Sequence, residues 1–167
     1  MNYQLFVDLD EVLAAYNEGF KRQFGCTALE LEAAGGQIWG AIGSVPDFYE
    51  KLDVLPGAMD FWTVLRMLHP HPVVLTSAGE TYFQQCARSK LKWVRKHLGD
   101  DVLFVAVKGG QRKAAYAQRH TDVLIDDWHL NCKAWSKAGG TAILHKDPLD
   151  SLEELMGFTE KLHDQRY

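Results

Sequence analysis

Five short apolar runs, each separated from the next by a stretch of helical character, constrain this chain more than any other feature. The first opens at Tyr3 and ends in Asp8-Leu9-Asp10. The others are Pro72-Val73-Val74-Leu75-Thr76, Val102-Leu103-Phe104-Val105-Ala106, Asp122-Val123-Leu124-Ile125-Asp126 and Thr141-Ala142-Ile143-Leu144. Runs this short and this apolar read as strands buried on both faces, the condition of a parallel sheet with helices packed on each side. Helical stretches are expected at about 58–69, 80–98, 111–119, 128–138 and 149–163. Alternation of this kind predicts an α/β fold, a doubly wound, Rossmann-like parallel sheet of five strands. Pro56-Gly57 opens the first of these helices, Gly99 closes the second after Lys96-His97-Leu98, and Gly139-Gly140 precedes the last strand.

One segment breaks the alternation. Residues 14–56 contain no convincing strand, with helices expected near 14–24 and 27–34 followed by Gly35-Gly36 and the Gly40–Gly43 stretch. Aromatics are dense there: Tyr16, Phe20, Phe24, Trp39, Phe48 and Tyr49. We read residues 14–56 as a small helical cap over the carboxyl edge of the sheet, and residues 1–13 and 57–167 as the core.

Composition narrows the function classes. At 167 residues the chain suits one domain, and 47% hydrophobic residues suffice for a full core. A net charge of −4 and the lack of a basic run disfavour a polynucleotide partner. Cys26, Cys86 and Cys132 have neither zinc-site nor redox spacing and read as free thiols of a reducing compartment. No apolar run approaches the roughly 18 residues of a membrane span. The expectation is a soluble cytoplasmic protein without a membrane partner.

The strand ends carry the chemistry. Side chains alternate along a strand, so Asp8 and Asp10 start on one side of its carboxyl end, where parallel α/β sheets bind ligands. Two acids so close repel unless a cation or a shared proton compensates. The second run ends Thr76-Ser77, a lysine (Lys108 or Lys113) follows the third, and the fourth ends Asp126-Asp127. Each feature alone is common; the four in this order, each at a strand end, are far more specific.

In that order they resemble the haloacid dehalogenase-like (HAD) superfamily of phosphohydrolases, over nearly the whole chain. More narrowly, Asp8-Leu9-Asp10-Glu11-Val12-Leu13-Ala14, Leu55-Pro56-Gly57-Ala58, Leu75-Thr76-Ser77-Ala78, Lys90-Leu91-Lys92-Trp93-Val94 with His97-Leu98-Gly99, and Leu124-Ile125-Asp126-Asp127 resemble the 5′(3′)-deoxyribonucleotidase family. The resemblance implies a Mg²⁺-dependent phosphomonoesterase acting on (deoxy)ribonucleoside monophosphates through an aspartyl-phosphate. It implies Asp8 as nucleophile and Asp10 as general acid and base. Mg²⁺ would be held by Asp8, the Asp10 backbone carbonyl and a carboxylate of Asp126 or Asp127. Thr76, Ser77, Lys113 and Lys90 would hold phosphate, with Lys108 the alternative to Lys113. Tyr16 and Trp39 would face the base. Relatives often dimerise, which makes a homodimer an expectation.

Two other readings compete: a HAD phosphatase for another small phosphate ester, such as a sugar phosphate, and a non-catalytic binding module on the same fold. Phe20, Phe24 and Phe48 read as cap core. Trp62, Trp93, Trp128 and Trp135 read as helix packing residues, and the seven histidines as surface or packing residues. The family usually has Gly after the second Asp. We expect Glu11, which stands there, to take an ordinary backbone conformation and point to the rim.

Overall fold

The computed structural model describes residues 3–164. Its strands are β1 (Leu5–Val7), β2 (Val73–Ser77), β3 (Leu103–Val107), β4 (Val123–Asp126) and β5 (Thr141–Leu144). Helices α1 (Tyr16–Phe24), α2 (Ala28–Ala33) and α3 (Ile38–Gly43) lie between β1 and α4 (Ala58–Leu68). Helix α5 (Phe83–His97) joins β2 to β3, α6 (His129–Lys137) joins β4 to β5, and α7 (Pro148–Asp164) follows. Short 3₁₀ helices occupy Tyr49–Lys51 and Gly110–Tyr116.

The sheet has the order β3-β2-β1-β4-β5, and every neighbouring pair is parallel. This is the doubly wound architecture that the apolar runs predict. The chain winds outward one way through β2 and β3, then crosses back to place β4 on the other side of β1. That reversal opens a crevice beyond the carboxyl ends of β1 and β4. Because Val7 is in register with Val74 and Ile125, Asp8, Thr76 and Asp126 reach the same edge of the sheet. β1 and β4 are buried along their whole length.

The segment between β1 and α4 is helical, as expected, and shares its core with the sheet. Phe20, Ile42, Phe48 and Tyr49 belong to one apolar cluster with Leu5, Leu9 and Trp93. Hydrogen bonds fasten it to α5, among them Trp93 Nε1 donating to the Leu52 carbonyl at 2.8 Å and the Glu50 amide donating to Ser89 Oγ at 2.9 Å.

The structure adds one helix and corrects two local expectations. Residues 38–43 form a helix despite Gly40 and Gly43, since buried Ile42 and the packing of Trp39 outweigh poor propensity. The stretch expected to be α-helical at 111–119 is a 3₁₀ helix over Gly110–Tyr116 whose buried residue is Lys113. It is anchored by a charge rather than by an apolar stripe, which periodicity cannot reveal. Trp128 is not a packing residue: it precedes α6 and is 51% exposed.

All three cysteines are free thiols, with Cys86 and Cys132 buried and Cys26 partly so. His69 and His145 are buried in packing roles, the first against the Tyr3 carbonyl and the second against Ser151. Among the described residues no helix is long and apolar enough to cross a membrane.

Candidate active site

Asp8 leaves β1 as a buried carboxylate whose backbone N–H still donates to the Ile125 carbonyl at 2.9 Å. Its side chain is fixed through one oxygen. Oδ1 accepts the Leu9 N–H at 2.7 Å and lies 2.8 Å from Lys113 Nζ.

Lys113 stands between two acids. Its Nζ is 2.6 Å from Asp126 Oδ2 as well as 2.8 Å from Asp8 Oδ1, and its side chain is 1% exposed. Burial alone would lower its pKa, yet the Asp8 and Asp126 carboxylates hold it above the usual lysine value, so it stays an ammonium. Lys108 lies elsewhere, with its Nζ 5.5 Å from the centre of the Phe83 ring.

A second buried lysine serves the other acid. Lys90 Nζ donates to Asp10 Oδ2 at 2.6 Å, to Thr76 Oγ1 at 3.0 Å and to the Ser77 carbonyl at 2.6 Å. It also sits 4.3 Å from the centre of the Tyr49 ring, which adds a cation–π contact. Burial raises the Asp10 pKa; Lys90 opposes the rise and Asp8 reinforces it. Asp10 Oδ1 is buried without a partner among the described residues.

β4 delivers the acids at its end. Asp126 Oδ1 accepts the Trp128 N–H at 2.9 Å, and the Asn131 side-chain amide donates to both Asp126 oxygens, at 3.0 and 3.2 Å. Asn131 reaches them because residue 110 is glycine: a Cβ there would lie 2.4 Å from Asn131 Oδ1. Asp127 is partly exposed, and carboxylate oxygens of Asp8, Asp126 and Asp127 lie within 4.8 Å of one another. Burial, and then the charges of Asp8, Asp126 and Asp10, push Asp127 up to about 8. Lys113 leaves this acidic group undercompensated, and three oxygen donors within reach of one point fit a hard divalent cation such as Mg²⁺.

Asn131 and Tyr49 were not anticipated. A polar residue on the buried face of α6, beside Cys132 and four residues before Trp135, was the available signal for Asn131. Tyr49 touches its lysine across 41 positions of sequence, and nothing local marks it.

Glu11 departs from expectation. Its φ is 56°, the left-handed region, where a side chain costs roughly 1–2 kcal/mol. The conformation aims its carboxylate at α1, where Oε1 accepts the Asn17 N–H at 2.8 Å. The N-cap residue of α1 is Ala15, which has no side chain able to cap. Glu11 therefore satisfies an otherwise orphaned amide from six residues away.

The aromatics divide. Tyr16 is half-buried, its ring packed against Phe20, Phe48 and Tyr49. Burial, and then the Asp10 charge, raise its hydroxyl pKa well above the usual value, which sets it close to the acids. Trp39 lies on the loop after β2: a Cβ at Gly79 would fall 2.6 Å from its ring. Ser77, at the end of β2, is partly buried and accepts the Gly79 N–H at 3.5 Å.

No family model matches the chain. Among curated proteins it is similar to the mitochondrial 5′(3′)-deoxyribonucleotidase of Mus musculus, 28% identical over 144 residues, covering 74% of this chain and 64% of that protein. The cytosolic-type 5′(3′)-deoxyribonucleotidase of Homo sapiens is 26% identical over 144 residues, covering 74% of this chain and 70% of that protein. The chain thus spans under two thirds of the length of the mouse relative. Among solved structures, a hydrolase from Streptococcus pneumoniae superposes with a TM-score of 0.49 at 13% identity, over 94% of this chain and all of that one. The HAD-hydrolase YfnB of Bacillus subtilis, bound to magnesium, does so with a TM-score of 0.49 at 15% identity, over 85% and 86% of the two chains.

Proposed function

We propose that the protein is a HAD-type, Mg²⁺-dependent hydrolase of small phosphate monoesters, with Asp8 as the nucleophile. The observation that carries this reading is the buried Asp8–Lys113–Asp126 array with Asp127 beside it. A phosphate monoester dianion repels nucleophiles, so its hydrolysis needs an ionised attacker inside a region of compensating positive charge. Asp8 meets that need without a base, being a carboxylate. Its Oδ1 is held by Leu9 and Lys113, and Oδ2 is the oxygen left to attack phosphorus.

Attack forms the bond from Asp8 Oδ2 to phosphorus and breaks the phosphorus–ester oxygen bond. Asp10 gives its proton to the departing oxygen, then takes one from the water that cleaves the aspartyl-phosphate. Lys113 has two of its three protons on Asp8 and Asp126 and one left for a phosphate oxygen. Thr76 and Ser77 supply hydroxyls at the same edge of the sheet. Asp8, Asp127 and Asp126, with the Asp10 carbonyl, would hold Mg²⁺, which neutralises phosphate charge when bound.

Nucleoside monophosphates are the substrate class to try first. The curated relatives are named as deoxyribonucleotidases, and Tyr16 and Trp39, in the helical segment 14–56 that we take as a cap, are the aromatics we assign to the base. Another small phosphate ester fits the same acids and lysines equally well. Turnover of a panel of deoxynucleoside, ribonucleoside and sugar monophosphates with Mg²⁺ tests both levels. Activity highest on nucleotides supports the narrow reading, and activity highest on sugar phosphates supports the broad one. Failure on every ester would sink the phosphatase assignment.

A further inference from the structure

We infer that Lys90 is a positioning residue, which sets the general acid Asp10 and aims the Thr76 hydroxyl, rather than a ligand of the substrate phosphate. The inference rests on the phosphatase reading above and deepens it.

Donor counting carries the argument. A lysine ammonium has three protons and no acceptor. Lys90 Nζ has three protein acceptors at hydrogen-bond distance: Asp10 Oδ2, Thr76 Oγ1 and the Ser77 carbonyl. The Tyr49 ring covers a further side, 4.3 Å to its centre, and the side chain has no exposed surface. No proton and no open face remain for a phosphate oxygen. Lys113, with two acceptors, keeps one proton for it.

The three bonds have a chemical consequence. A hydroxyl that accepts from Lys90 cannot turn its own proton toward Lys90, so the Thr76 proton is directed away, to the side where a phosphate would lie. Asp10 is held through Oδ2, which leaves buried, unpartnered Oδ1 as the oxygen that carries and delivers the proton. One ammonium thereby fixes a proton donor for the leaving group and a hydrogen-bond donor for the phosphate.

The experiment compares two esters on the Mg²⁺-loaded wild type and on Lys90→Met. In 2′-deoxyuridine 5′-monophosphate the departing alkoxide needs a proton, whereas in 4-nitrophenyl phosphate the departing phenolate does not. General acid catalysis is worth about 10²–10⁴-fold. In single-turnover measurements, Lys90→Met should release nucleoside at least about 100-fold more slowly than wild type. It should keep the rate of its 4-nitrophenolate burst within about fivefold. Equal losses on both esters would overturn the assignment and make Lys90 a phosphate ligand. An inactive wild type would instead remove the phosphatase reading itself. If Lys90→Met does not fold, a crystal structure of wild type with Mg²⁺ and inorganic phosphate decides. Lys90 Nζ should stay beyond about 3.5 Å from every phosphate oxygen, and a direct hydrogen bond there refutes the inference.

Discussion

Two buried lysines face the same crevice in opposite surroundings. Lys113 bridges two carboxylates that are themselves nearly sealed from water, at 8% and 0% side-chain exposure. Lys90, equally buried, joins one carboxylate that is 24% exposed to a hydroxyl and a backbone carbonyl. Lys113 is thus the counter-ion of an anionic site that could not otherwise be buried. Lys90 is a strut among groups that would survive its loss. The difference shows how one residue type can neutralise charge at one strand end and set geometry at the next.

The largest effect should come from the acid that Lys113 serves. Asp8→Asn keeps the shape and removes the proposed nucleophile, so turnover of phosphate esters should fall about 10⁴-fold or more while the fold persists. Undiminished turnover in a folded variant would remove Asp8 from the mechanism and Lys113 from its role beside it.

The stability contrast comes next. Lys113→Met leaves Asp8 and Asp126 facing each other without compensation, and breaking a buried pair in this way costs about 3–5 kcal/mol. Lys90→Met leaves Asp10, which can take up water or a proton, and should cost distinctly less. Urea denaturation of both variants checks the order. Equal losses would erase the distinction between counter-ion and strut.

How much of this was legible in the sequence follows from the same contrast. Apolar runs closed by acids and hydroxyls announced the sheet and its edge, because a strand buried on both faces has few other ways to be written. The acids of β1 and β4 came with it, since each directly follows apolar residues. Lys113 was harder to read: its segment lacks an apolar stripe, and only the order of motifs distinguished it from Lys108. Lys90 could be seen as a lysine ahead of Trp93, but its three acceptors come from β2 and the loop after β1 and exist only in the folded chain. Asn131 and Tyr49 stayed hidden for the same reason.

A pH experiment sharpens the Lys113 side. Asp127, pushed up to about 8 in the metal-free fold, has an ordinary value of 3.8. Between those values the folded state binds more protons than the unfolded one, so ∂ΔG/∂pH is negative and stability falls as pH climbs from about 4 to about 8. Asp127→Asn should flatten this decline and raise the melting temperature of the metal-free protein at pH 8. It should also weaken the stabilisation that Mg²⁺ gives the wild type. A decline that persists unchanged in Asp127→Asn would mean that the acidic group is compensated in some other way.

The smallest effect should lie at Glu11, between the two lysines' acids and the helical segment. Its left-handed backbone costs roughly 1–2 kcal/mol, and its bond to the Asn17 amide returns about 1 kcal/mol, the usual worth of a helix cap. Glu11→Gly removes both the strain and the cap, and adds the unfolded-state entropy of glycine, so the net change should stay within about 1 kcal/mol. Glu11→Ala keeps the strain and loses the bond, and should be the less stable of the two variants by about 1 kcal/mol. The opposite order in thermal melts would mean that residue 11 relaxes once its bond to α1 is lost, so that this grip, rather than the turn around Asp10, holds Glu11 left-handed. The expected order instead assigns the strain to the turn that carries Asp10, the acid served by Lys90.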